Sequence, residues 1–235
     1  GIREKNLMEL KDKSVLVIGL GNRGQAACAL LRRAGAQVMA VDTADSAELR
    51  EAAGRLRSEG VKVELGAAAA PKHDFVLAVV SPAVPAQAPL LQSLKAQNVP
   101  IIGELELGYQ QARCLNIAVA GTNGKGTTAE LVERLLVNNH RKVALSGHGA
   151  RPVCSVADQT QDLDFLVLQV NAFQLETTLH FRPAVAALLN LAPDDFDRYA
   201  SKAEFVQANG KLFRNQQAFD WAVVQTGALA ALKEF

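Results

Sequence analysis

Two short glycine-rich runs, each set between a strand-length apolar segment and a helical pattern, constrain this chain more than any other feature. The first is Gly19-Leu20-Gly21-Asn22-Arg23-Gly24, after residues 14–18. The second is Gly121-Thr122-Asn123-Gly124-Lys125-Gly126-Thr127-Thr128, after residues 116–120. A strand that turns through glycines into a helix aims successive backbone N–H groups and the positive helix end at one spot, which suits a phosphate. Each such unit normally opens its own sheet. Two of them in 235 residues predict two α/β domains, each able to bury a core.

The remaining pattern agrees. Continuous apolar runs at 14–18, 37–41, 75–80, 116–120, 165–170 and 185–189 read as strands covered on both faces, the mark of parallel sheets flanked by helices. Helical patterns fall at 25–33, 104–112, 129–137 and 228–234. The expected class is α/β: an N-terminal Rossmann-like parallel-sheet domain over residues 1–112, then a P-loop-type domain over residues 113–235. Residues 66–71 read as an alanine-rich connector, and Pro82, Pro85 and Pro89 mark a loop that cannot continue strand pairing.

Composition excludes more than it assigns. With 21% charged residues and a formal net charge of +1, no global field draws nucleic acid or an anionic membrane, so an anion must be held locally. Cys28, Cys114 and Cys154 are odd in number and lack C-x-x-C spacing, which argues against disulfides and structural zinc and for a reducing cytoplasm. No apolar run approaches the about 20 residues that cross a bilayer. Residues 1–13 are charged and carry no apolar signal core. Neither a nucleic-acid nor a membrane partner is expected.

The second run departs from G-x-x-x-x-G-K-[ST]. It is shorter before its second glycine, and Gly126 stands where a hydroxyl usually sits, so Thr127 or Thr128 is the group that can reach Mg²⁺. Lys125 is placed to neutralise the β- and γ-oxygens of ATP. The first run, taken alone, is a dinucleotide fingerprint, with Asp42 ending the next strand where it could meet a ribose. A nicotinamide-dependent oxidoreductase, however, needs a substrate domain with acid/base residues downstream, and here a second nucleotide loop follows.

Gly121 to Lys125 after a short apolar strand resembles the Mur ligase superfamily, which includes folylpolyglutamate synthases. The Gly126 variant is similar to the folylpolyglutamate branch. Phe173-Gln174-Leu175-Glu176-Thr177-Thr178, the run Leu189-Asn190-Leu191-Ala192-Pro193-Asp194, Asp197-Arg198-Tyr199 and the first glycine domain resemble instead the branch that joins D-glutamate to UDP-N-acetylmuramoyl-L-alanine. The resemblance extends over nearly the whole chain. It implies an ATP- and Mg²⁺-dependent ligase of peptidoglycan precursor synthesis that activates a carboxylate as an acyl phosphate. It further implies ATP at residues 121–128 and Asn190, and the UDP-sugar at Gly21, Asn22, Arg23, Gly24, Asp42, Ser81 and Pro82. His148 and Gln174 are implied as further substrate contacts, and Thr127, Gln169 and Asp195 as metal positions. Lys125 and Lys211 take catalytic roles, Lys211 matching a lysine that is carbamylated in the family.

Three motifs differ from the family's. Gln169-Val170-Asn171-Ala172-Phe173-Gln174-Leu175 stands for E-[LV]-S-S-F-Q-L, Asp194-Asp195-Phe196-Asp197-Arg198 for D-H-x-D-R, and Ser146-Gly147-His148-Gly149-Ala150 for G-G-N-[IT]-G. A carboxamide at 169 lacks the charge a hard dication prefers, so metal binding there is expected to weaken, with Asp195 restoring part of the charge. The family also carries a third, C-terminal domain, whereas beyond residues 221–224 this sequence holds only the helical pattern at 228–234. An incomplete central sheet and poor turnover by this chain alone are expected. The competing reading is a non-catalytic protein that keeps both nucleotide loops.

Overall fold

The computed structural model describes residues 9–85, 87–149, 151–192 and 199–234. It contains two parallel five-stranded sheets, which confirms the expected class. The first holds β1 (Ser14–Ile18), β2 (Gln37–Asp42), β3 (Lys62–Leu65), β4 (Leu77–Val80) and β5 (Ile101–Gly103), in the order β3-β2-β1-β4-β5. The second holds β6 (Leu115–Ala120), β7 (Val143–Gly147), β8 (Phe165–Gln169), β9 (Val185–Leu188) and β10 (Trp221–Val224), in the order β10-β9-β6-β8-β7. In each sheet the strand that feeds a glycine run is central, and the strand order reverses beside it. That is the place where an open α/β sheet leaves a crevice at its carboxyl edge.

The six runs read as strands are the six inner strands. The four others are sheet edges, and the reason is physical: an edge pairs on one side only and needs no continuous apolar run. β3 alternates exposed and half-buried residues, and on β10 Trp221 and Val223 are 71% and 58% exposed.

Helices α1 (Asn22–Arg33), α2 (Ala47–Ser58), α3 (Pro89–Ala96) and α4 (Glu104–Gln111) accompany the first sheet. Helices α5 (Lys125–Asn138), α6 (Ala172–Glu176), α7 (Lys202–Gly210) and α8 (Thr226–Glu234) accompany the second. Three helix starts differ from the sequence reading: α8 begins at Thr226 instead of residue 228, and the other two lie at the glycine runs. α1 begins at Asn22 instead of residue 25 and α5 at Lys125 instead of residue 129, so both glycine runs pass directly into the first helical turn. Glycine and threonine are poor helix formers, which hid those turns.

α4 joins the two sheets. Leu107 lies in the core of the first, while Leu105, Tyr109 and Ala112 lie in that of the second. Between them Glu106 is fully buried, its carboxylate accepting from the N–H groups of Leu179 (2.9 Å), His180 (3.0 Å) and Phe181 (3.0 Å) and from Gln110 Nε2 (2.6 Å). On the other flank Arg33 at the end of α1 pairs bidentately with Asp158, at 2.5 and 3.1 Å. Gly103 packs so closely on the second domain that a Cβ there would stand 2.2 Å from Thr177 Oγ1. All three cysteines are free and buried, and burial pushes the Cys28 thiol up to about 12. Among the described residues no helix is long and apolar enough to cross a membrane.

Candidate active site

The second glycine run is braced against the end of β9. Gly121 takes φ +139° and would press a Cβ to within 3.1 Å of the Asn190 nitrogen; Gly124, at φ +83°, is the left-handed residue that starts α5. Asn190 holds the turn on both sides. Its backbone oxygen accepts from Thr122 N (3.2 Å), its Oδ1 accepts from Asn123 N (2.8 Å), and its Nδ2 donates to Asn123 O (3.0 Å). Thr122 Oγ1 accepts from Ala192 N at 2.9 Å. Asn190 therefore shapes the loop. Lys125 Nζ folds back onto the Gly121 and Thr122 carbonyls at 2.7 and 2.9 Å, a preformed anchorage that keeps its charge over the turn. No side chain caps α5, so its first turn presents Gly126 and Thr127 with the positive helix end toward an anion.

Gln169, at the end of β8, points at this loop. A Cβ on Gly126 would lie 3.8 Å from its Oε1, and one on Gly149 would lie 3.1 Å from the same oxygen. The residue-169 carboxamide thus lies beside Gly126 on the first turn of α5, which Thr127 follows, and tightly against Gly149. His148 is tied to the same strand: its N–H donates to Gln169 O at 2.7 Å, and its Nδ1 lies 3.1 Å from Asn171 Nδ2. Asn171 caps α6, its Oδ1 accepting from Gln174 N (3.0 Å) while Gln174 Oε1 accepts from Asn171 N (3.3 Å). Gln174 is 1% exposed; its Oε1 serves this cap, while its Nε2 is buried with no hydrogen-bond partner. The sequence reading passed over Asn171, although its spacing from Gln174 is that of a capping box. Among the described residues no three His, Cys, Asp or Glu side chains gather as a metal site. Asp195, the carboxylate expected to assist, lies outside the described residues, with Asp194, Asp197 and Arg198.

The first run lies at the carboxyl ends of β1, β2 and β4. Gly19 (φ +89°) would clash with Ser81 Cβ at 2.8 Å, so Ser81 and Pro82 close directly over the turn. Gly21 has open space around it and caps α1, with no side-chain cap on the helix. At Gly24 a Cβ would stand 1.8 Å from Gly19 O. Gly24→Ala is accordingly expected to force the loop apart and abolish binding of a nucleoside diphosphate, checked by calorimetry, while leaving ATP binding at the second loop within twofold. Asp42 fixes the loop from the next strand: its Oδ2 accepts from Leu20 N (2.7 Å) and its Oδ1 from Ala44 N (2.9 Å). Asn22 and Arg23 stand on the first turn of α1, with Arg23 Nε buried.

A cavity of about 250 Å³ lies where the two sheets face each other, with Ser81 and Pro82 on one wall and Phe173, Glu176, Lys211 and Arg214 on the other. Lys211 follows α7 as its C-cap, and its Nζ donates to Glu176 O at 2.5 Å. Burial, with the Arg214 charge adding to it, holds the Lys211 ammonium below the ordinary lysine range, against the pull of Glu176. A larger neutral fraction follows. The structure therefore places the second glycine loop, Gln169 and His148 at the carboxyl edge of the second sheet, the first loop with Ser81 at that of the first, and Lys211 at a cavity lined from both domains.

Comparison with known proteins matches residues 13–103 to the Mur ligase MurD-like N-terminal domain and residues 119–230 to the Mur ligase middle domain. The UDP-N-acetylmuramoylalanine--D-glutamate ligase of Acidobacterium capsulatum is 38% identical over 95% of this chain and 49% of its own length. That of Koribacter versatilis is 37% identical over 92% and 48%. The chain spans about half the length of the curated relatives it matches. In fold it resembles the UDP-N-acetylmuramate:L-alanyl-gamma-D-glutamyl-meso-diaminopimelate ligase of Neisseria meningitides, with a TM-score of 0.63 at 20% identity, over 95% of this chain and 75% of the other.

Proposed function

This chain belongs to the Mur ligase family, as its N-terminal and middle domains, and from that premise we propose that it binds Mg-ATP and UDP-N-acetylmuramoyl-L-alanine as part of a cytoplasmic D-glutamate-adding ligase. The observation that carries this is the pair of glycine loops, each at its sheet's switch point, with a cavity lined from both domains by Ser81 and Lys211. Such a pairing suits two phosphate-bearing ligands held close enough for one to activate the other.

The residues present fit the ligands in different degrees. Gly121 and Gly124 shape a phosphate cradle, and Lys125 supplies a charge able to offset the one that develops on the γ-phosphoryl group. Thr127 and Gln169 are the residues that would hold Mg²⁺, which would supply positive charge to offset that of the phosphates. Both donors are neutral, so weak affinity is expected. Lys211, through its neutral amine, can take up CO₂ as a carbamate with loss of a proton, turning a cation into an anion beside the cavity. The substrate carboxylate attacks the γ-phosphorus and ADP leaves; the amine of D-glutamate then attacks the acyl carbon and releases phosphate. The first loop and Ser81 orient the carboxylate for the first of these steps.

Phosphate release from ATP with UDP-N-acetylmuramoyl-L-alanine and D-glutamate tests this. Gln169→Glu is expected to lower the Mg²⁺ concentration at half-maximal nucleotide binding by about tenfold, since a carboxylate supplies the missing charge. An unchanged Mg²⁺ requirement would remove residue 169 from the metal site.

A further inference from the structure

Two buried polar atoms without a hydrogen-bond partner line one narrow crevice beneath the first glycine run: Arg23 Nε and Glu104 Oε2. The rest of its wall is nearly all apolar, with Val17, Ala27, Val79 and Val80 around them. Glu104 is 1% exposed and is latched to the second domain. Its Oε1 accepts from Cys154 N at 2.6 Å, and Cys154 Sγ donates to its backbone oxygen at 3.3 Å. Burial pushes the carboxyl up, and the Cys154 N–H and the Arg23 charge pull it back down. A guanidinium is a rigid fork of five donors, so burying Nε in the crevice that Glu104 also lines decides which edge remains for a ligand.

We propose that Glu104 is a positioning residue for Arg23: held in place by its bond to Cys154 of the second domain, it draws the guanidinium under the first glycine run, so that the Nη edge meets the diphosphate of a nucleoside-diphosphate ligand. This rests on the diphosphate reading of the first loop. It also has a sign that a simpler effect lacks. Acting only through space, the Glu104 charge would repel a diphosphate, and removing it would tighten binding; as the group that orients Arg23, its removal loosens binding.

Calorimetry with UDP and with uridine, on the whole chain, separates these. Glu104→Gln keeps the acceptor for Cys154 N and is expected to weaken UDP about tenfold while changing uridine by less than twofold. Arg23→Gln should do the same, and Glu104→Gln added to Arg23→Gln should cost nothing more. Arg23→Lys keeps the charge but not the fork and should also bind UDP several-fold more weakly. UDP binding that is unchanged or tighter in Glu104→Gln, additive losses in the double variant, or full affinity in Arg23→Lys would each overturn the proposal. So would loss of ATP binding together with UDP binding in Glu104→Gln, which marks a structural role. If the wild-type chain binds no UDP, the diphosphate reading of the loop itself falls.

Discussion

Glu106→Ala is expected to lower the unfolding free energy by about 3–5 kcal/mol, read as a shift of the urea midpoint at unchanged slope. The carboxylate is fully buried and accepts from three consecutive backbone N–H groups, those of Leu179, His180 and Phe181, besides Gln110. Truncation strands these donors away from water, and each costs about 1–3 kcal/mol when left unpaired. It also leaves a cavity where the buried side chain stood. Glu106→Gln should recover only part of the loss, because one of the two oxygens becomes a donor facing donors. A loss below about 1 kcal/mol for the alanine variant would show that the 179–181 turn does not depend on this anchor.

Lys125→Ala is expected to weaken ATP binding by about 100-fold, with UDP binding unchanged within twofold. The ammonium is the one cation on the phosphate loop, and its anchorage to the Gly121 and Thr122 carbonyls places it over the turn before any phosphate arrives. Stability should fall little, since the loop geometry is carried by Asn190 and by the glycines. Titration calorimetry reads both ligands. A variant that keeps wild-type ATP affinity would remove Lys125 from the nucleotide site.

What was legible in the sequence was what local chemistry dictates. The inner strands announced themselves because burial on both faces demands an unbroken apolar run, as in the Ile18 and Val119 strands. β3, with Lys62 and Glu64 exposed, demands nothing of the kind. Both glycine runs were readable because Gly24 and Gly121 leave no room for a side chain, a constraint that acts within a few residues or against an adjacent strand. Long-range duties were not. The Asp42 carboxylate, besides its implied place at the UDP-sugar, accepts from the Leu20 N–H, 22 positions away. Glu104 and Glu106, in a segment that reads as an ordinary helix, turned out to be buried anchors for residues about 50 and 75 positions away, and nothing in their local pattern states that distance.

The most direct test is calorimetry of one sample with Mg-ATP and with UDP-N-acetylmuramoyl-L-alanine, singly and in sequence. Two independent sites are predicted, one for each ligand, with Lys125→Ala removing only the first and Gly24→Ala only the second. Failure of the UDP-sugar to bind at millimolar concentration, or its displacement by ATP from a single shared site, would contradict the assignment of one glycine loop to each ligand.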